Sequence, residues 1–235
     1  MRREDAGRGA SRVSELAARL SAVRERIADA ADAAGRDAHD ITTVVVTKFQ
    51  PVSLIRELAS LGVRDIGENR HQEAQAKARE LADLGLDWHF VGQLQGKKAR
   101  QVRAYASVIH SVDRTSLVDA LRSDEASVDC FVQVNLTDDP GRGGVDPEGL
   151  EDLVEHVLRT PGLRLLGLMA VAPLDEDARA AFARVRGLSD RIRPLAPEAT
   201  ALSMGMSHDY RDAILEGATH LRIGTAITGN RPAPG

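Results

Sequence analysis

The stretch that decides the fold is ITTVVVTKFQPVSLIRELASLGVRDIGEN, residues 41–69. It opens on an apolar run rich in β-branched residues at 41–46, the composition of a buried strand. A helical pattern starts after Pro51, where the fixed φ of proline suits a first helical turn. A second apolar run follows at 63–66 and leads into Gly67-Glu68-Asn69. Strand, helix, strand in this order is the unit of a parallel sheet.

Outward from this unit the alternation continues. Downstream, a helix is predicted over residues 70–83. Strands at 88–91, 108–112, 128–136, 163–171, 199–204 and 220–223 then alternate with helices near 95–105, 114–122, 147–159, 175–193 and 208–216. Upstream, Val13, Leu16, Leu20, Val23 and Ile27 recur at spacings of three and four, an amphipathic helix over 11–34 that Gly35 terminates. Residues 1–10 read as a flexible tail. Eight strands, each followed by helical or turning chain, predict an α/β fold, a single (β/α)8 TIM-type barrel with an extra N-terminal helix, spanning residues 11–235. An open doubly wound sheet is the alternative. No linker, composition shift or internal repeat divides the chain.

Composition narrows the function. Of the 235 residues 43% are hydrophobic, enough for a sizeable core, and few are aromatic, so that core is aliphatic. The net charge of −4 and the lack of a basic tract argue against nucleic-acid binding. The charged N-terminus lacks the apolar segment of a secretory signal, and no run is long enough to span a membrane. The only cysteine, Cys130, rules out a disulfide framework and argues against a cysteine-built metal site. These features are those expected of a cytoplasmic protein.

In a parallel barrel the chemistry sits where strands end. The first strand ends in Thr47-Lys48. Such a lysine either leaves the core to reach solvent or presents an amine at the barrel mouth, where partial desolvation frees it to attack a carbonyl. The second ends in Gly67-Glu68-Asn69, with Asn69 expected to cap the following helix. The third carries His89, either a structural histidine or a pocket residue. After the seventh comes Ser203-Met204-Gly205-Met206-Ser207, with Ser207 placed as a helix N-cap. After the eighth comes Arg222-Ile223-Gly224-Thr225, where Gly224 permits close approach of backbone N–H groups to a phosphate. Ordinary caps and turns are the plain alternative for both. In a closed barrel the first and eighth strands are neighbours, so a lysine stands beside an anion cradle. That pairing suits pyridoxal 5′-phosphate (PLP) or a phosphorylated carbonyl substrate, as in a Schiff-base aldolase. Arg222 shares its facing with Gly224 and is aimed at the body of the same ligand.

Six segments carry a resemblance to a known family. They are Val44-Val45-Val46-Thr47-Lys48, Gly67-Glu68-Asn69, Trp88-His89-Phe90-Val91-Gly92-Gln93-Leu94-Gln95, Gly167-Leu168-Met169, Leu202-Ser203-Met204-Gly205-Met206-Ser207 and Arg222-Ile223-Gly224-Thr225-Ala226-Ile227. In order across nearly the whole chain, they resemble the pyridoxal-phosphate homeostasis proteins, which share their barrel with the N-terminal domain of alanine racemase. The resemblance implies PLP held as a Schiff base on Lys48, its phosphate on Ser207, Gly224 and Thr225, Arg222 at the pyridine nitrogen, and Asn69, His89 and Met204 lining the pocket. It implies no metal and no established catalytic reaction. Its implied role is PLP (vitamin B6) homeostasis, with PLP-dependent apoenzymes as candidate partners. The chain departs from the pattern at Arg70, Lys97 and His208, which touches the pocket rim and any partner surface.

An arginine at the ring nitrogen cannot accept its proton, so the ring stays a weak electron sink. Racemisation also needs a base on the opposite face of the cofactor. Alanine racemase takes that base from a second domain, which is expected to be missing here, and neither Tyr105 nor Tyr210 lies in a matching motif. A weak PLP-dependent amino-acid racemase is therefore the lesser expectation, and a monomeric PLP-binding protein the leading one.

Overall fold

The computed structural model describes residues 4–230, with side chains from Glu15 onward except that of Pro140. Eight parallel strands close into a barrel in sequence order: β1 (Thr42–Val46), β2 (Asp65–Glu68), β3 (Asp87–Phe90), β4 (Val108–Val112), β5 (Val128–Gln133), β6 (Leu163–Met169), β7 (Ala201–Ser203) and β8 (His220–Ile223). The helices between and after them are α2 (Val52–Ser60), α3 (His71–Glu80), α4 (Ala99–Arg103), α5 (Thr115–Leu121), α6 (Leu150–Arg159), α7 (Ala178–Ile192), α8 (Tyr210–Leu215) and α9 (Thr225–Thr228). Closure comes from β1 pairing with β8, with Val44 opposite Arg222 and Val45 opposite Ile223. The open-sheet alternative is thereby set aside.

The N-terminal helix α1 (Glu4–Ala33) begins earlier than residue 11, inside the stretch read as a tail. Residues 1–3 lie outside the described residues. Leu16, Leu20, Val23 and Ile27 are buried, as their spacing predicts. With only four residues, α9 is too short to cover its side of the barrel. Helix α1 packs on α8 and α9, and Arg19 Nε donates to the Ile227 carbonyl at 2.8 Å.

Several boundaries move for local reasons. The second strand starts at Asp65, not 63, because Val63 finishes α2. Its N–H donates to Leu58 O and that of Gly62, at φ +82°, to Ala59 O, the paired bonds of a Schellman C-cap. Helix α3 ends at Glu80 and a 3-10 turn follows at Ala82–Leu84. Helices α4 and α6 each start later than expected, behind 3-10 turns at Gly96–Lys98 and Pro147–Gly149. Helix α7 starts at Ala178 because Asp177 caps it, accepting from the Ala180 N–H at 2.9 Å.

The main core lies between sheet and helices. Inside the barrel, Val108, Phe131 and Met169 form a small apolar cluster, and buried polar side chains fill the remainder. Cys130 is buried in the outer layer, and burial pushes its thiol up to about 12. Among the described residues no helix is long and apolar enough to cross a membrane.

Candidate functional site

Four groups converge at the C-terminal ends of β1, β2, β7 and β8. Lys48 follows β1 in a turn that the Gln50 N–H closes onto the Thr47 carbonyl at 2.9 Å. It is exposed. Two residues before it, Val46 packs against Gly224 across the β1–β8 seam, 3.6 Å from where a Gly224 Cβ would stand. Lys48 therefore lies at the mouth beside the loop that follows β8.

Ser207 is not the cap of α8. That helix starts at Tyr210 with Asp209 as its N-cap residue, and the Asp209 carboxylate accepts from the Met206 N–H at 2.5 Å. The Ser207 oxygen turns instead to the neighbouring loop, accepting from the Thr225 hydroxyl and the Ala226 N–H, both at 3.3 Å. One oxygen thus ties together the loops after β7 and β8. Gly224 has φ −106°, and a Cβ there would meet only Val46 at ordinary contact distance. No neighbouring protein group crowds this place.

Asn69 is not the cap of α3 either, since Arg70 holds that position. Its carbonyl lies so close to Gly92 that a Cβ there would stand 2.3 Å from the oxygen, which is why the β3 loop needs glycine. The Asn69 side-chain oxygen is buried without a hydrogen-bond partner.

Beneath the mouth, Arg222 is buried, donating to Ser203 Oγ at 2.7 Å and to the Ala170 carbonyl at 2.8 Å. Desolvation by burial lowers its pKa to about 10, partly offset by Asp209, so it stays charged at neutral pH. From Ser203 a relay runs down through the barrel. Ser203 Oγ meets His110 Nδ1 at 2.8 Å, His110 Nε2 meets His89 Nδ1 at 2.9 Å, and His89 Nε2 meets Asp65 Oδ1 at 3.1 Å. With neutral rings the direction of every bond is forced. A carboxylate only accepts, so His89 carries its proton on Nε2 and accepts at Nδ1; His110 then also carries Nε2–H, and the Ser203 hydroxyl donates to its Nδ1. Burial, aided by His89, Arg222 and His220, holds His110 well below the ordinary imidazole range. The third interior ring, His220, is lowered to about 4, first by burial and then by His89.

His89 therefore reaches Arg222 only through His110 and Ser203. Met204 is wholly buried in the layer between sheet and helices, not in the mouth. His110, Ser203 and Asp65 belong to the interior and were not singled out from sequence; the inward period-two positions of β4, β7 and β2 were the available signal. A second group missed was Thr47, Glu68, Glu73 and Lys77, packed behind Lys48. Of the departures from the family pattern, Arg70 gains a place, its guanidinium carbon 4.7 Å from the centre of the Phe49 ring. Among the described residues no group of three or more His, Cys, Asp or Glu side chains is arranged to hold a metal ion.

A family model described as the alanine racemase N-terminal domain matches residues 18–232. A pyridoxal phosphate homeostasis protein of Pseudomonas aeruginosa is 42% identical, over 93% of this chain and 97% of its own length. One from Mycobacterium tuberculosis is 40% identical, over 94% of each chain. The solved structure of PipY from Synechococcus elongatus with PLP bound superposes with a TM-score of 0.79 at 35% identity, covering 91% of this chain and all of that one. An alanine racemase from Corynebacterium glutamicum, at 15% identity and a TM-score of 0.68, shares the fold.

Proposed function

Because the chain belongs to the pyridoxal phosphate homeostasis protein family, we propose that it binds PLP covalently through Lys48 and serves PLP homeostasis in the cytoplasm. PLP-dependent apoenzymes are the proposed recipients. The observation that carries the reading is the Ser207 oxygen joining the β7 and β8 loops, beside the strand whose end bears Lys48.

The residues present fit the cofactor. Gly224 leaves open a space that no protein group needs, and the Asn69 oxygen is a buried acceptor without a donor. When bound, PLP supplies an aldehyde that condenses with a primary amine and a ring that withdraws electrons. Lys48 offers that amine in water-accessible form, which suits reversible loading and release. Ser207 and Thr225 offer hydroxyls, and Gly224 an uncrowded backbone, to the phosphate. Arg222, fixed by Ser203 and Ala170, brings a permanent positive charge to the ring nitrogen and cannot take up a proton from it. That favours holding the cofactor over stabilising a carbanion. His89 and Met204 support the pocket from behind, the first through the relay to Arg222 and the second through the core under β7.

The test is an absorbance spectrum of protein incubated with PLP, before and after borohydride, with peptide mapping of the reduced adduct. A near-visible band, lost in Lys48→Ala and mapped to Lys48, is the expected result. An adduct on Lys97 or Lys98 would overturn the assignment.

A further inference from the structure

Behind the Lys48 turn lies a buried ion cluster. The ammonium of Lys77, on α3, has three acceptors: Glu68 Oε1 at 2.7 Å, Glu73 Oε1 at 2.6 Å and the Thr47 carbonyl at 2.9 Å. Glu68 Oε1 also accepts from the Thr47 hydroxyl at 2.7 Å, and Glu73 Oε1 from the Phe49 N–H at 2.7 Å. The bonds of this cluster thus end on both neighbours of Lys48, on the carbonyl before it and the N–H after it.

Two features set the cluster apart from ordinary packing. Phe49 has φ +66°, the only non-glycine residue with positive φ among the described residues. A bulky side chain holds that conformation only where its surroundings impose it, and such strain gathers at functional positions. Here the Glu73 carboxylate accepts from the Phe49 N–H and the Arg70 guanidinium stands over the ring. The cluster is also poorly suited to stability alone. Lys77 and Glu68 are almost wholly buried, and Glu68 Oε2 has no hydrogen-bond partner. Burial pushes the Glu68 carboxyl up, while Lys77 and Thr47 pull it back. Apolar residues of similar volume stabilise a core at least as well as buried ions, so what the ions add is directional bonding.

We infer that Lys77 and Glu73 are positioning residues that clamp the peptide groups on either side of Lys48 and so aim its amine at the cofactor aldehyde. The inference rests on Lys48 being the PLP lysine. Neither side chain touches the cofactor; each acts through the backbone of the turn. Covalent attachment therefore depends on the clamp, whereas noncovalent capture of the phosphate and ring by the β7 and β8 loops does not.

Two ligands separate these effects: PLP, and pyridoxine 5′-phosphate, which has an alcohol where PLP has its aldehyde. Glu73→Ala removes the acceptor of the Phe49 N–H at a side chain that is 25% exposed, so the fold is expected to survive. It should weaken PLP retention by about tenfold, the worth of one charge-assisted hydrogen bond, and slow growth of the near-visible band. Affinity for pyridoxine 5′-phosphate should change less than about twofold, since no phosphate contact is altered. Glu73→Gln, which keeps an oxygen for Phe49, should recover most of the loss. Lys77→Met should follow Glu73→Ala, and if it fails to fold the Glu73 pair carries the test. Equal losses for the two ligands, or unchanged PLP attachment in Glu73→Ala, would overturn the inference. Lys48→Ala in the same assay keeps the outcomes apart. If it retains the band, the choice of Lys48 fails; if it loses the band while Glu73→Ala does not, only the clamp fails.

Discussion

Burial of neutral histidines inside the barrel should make the protein acid-sensitive well above the carboxylate range. His220 is the group to follow, because burial and His89 lower it from the ordinary 6.5 to about 4. The unfolded chain takes up this proton as pH falls through 6.5, and the native protein does so only near 4. Below 6.5 the unfolded state therefore binds more protons, and stability falls with pH until the native pKa is reached. The difference between the two pKa values is worth about 3 kcal/mol in full, of which about 2 kcal/mol is lost between pH 7 and pH 4.5. His110, lowered in the same direction, adds to the loss. Glu68 opposes it, because a carboxyl raised by burial stabilises the native state as pH falls. The assay is urea denaturation from pH 7.5 to 4.5 of the wild type and His220→Gln. Glutamine keeps a polar group for the Thr219 hydroxyl, 2.9 Å from His220 Nδ1, and does not titrate. The difference between the two proteins cancels Glu68 and leaves the His220 contribution. His220→Gln should lose about 2 kcal/mol less than the wild type over this range. Parallel stability profiles would refute the reasoning, since they require the same proton affinity for His220 in both states.

Two further outcomes bear on the site. Ser207→Ala should weaken PLP retention by about tenfold, from the loss of one hydrogen bond to a charged phosphate worth roughly 1.5–3 kcal/mol. Pyridoxal, which lacks the phosphate, should be affected much less, and equal losses in an equilibrium titration would remove Ser207 from the cradle. With both rings neutral, nitrogen-15 NMR spectra of the imidazoles should show His89 and His110 as Nε2–H tautomers. A protonated Nδ1 on either ring would break the bond directions that run from Arg222 to Asp65.

The order of elements was legible because each is written locally. β-branched runs and three-and-four spacing mark strands and helices before any contact forms, and strict alternation allows little besides a parallel sheet. Lys48, Ser207, Gly224 and Thr225 could be picked out for a related reason: mouth residues follow directly from where strands end. Boundaries were less legible, since caps and 3-10 turns such as those at Val63 and Pro147 depend on one or two local hydrogen bonds. What only the tertiary structure decided is which side chains face one another across the barrel. Ser207 looks like a helix cap in sequence, yet it serves the loop of the next strand. His89 looks like a mouth residue, yet it joins a relay whose members come from five strands. Lys77 and Glu73 form a solvated-looking pair on a polar helix, until pairing of β1 with β2 and packing of α3 bring Thr47 and Glu68 against them. Local sequence sets backbone geometry, but contacts between residues 20 or more positions apart exist only once strands have paired and helices have packed on them.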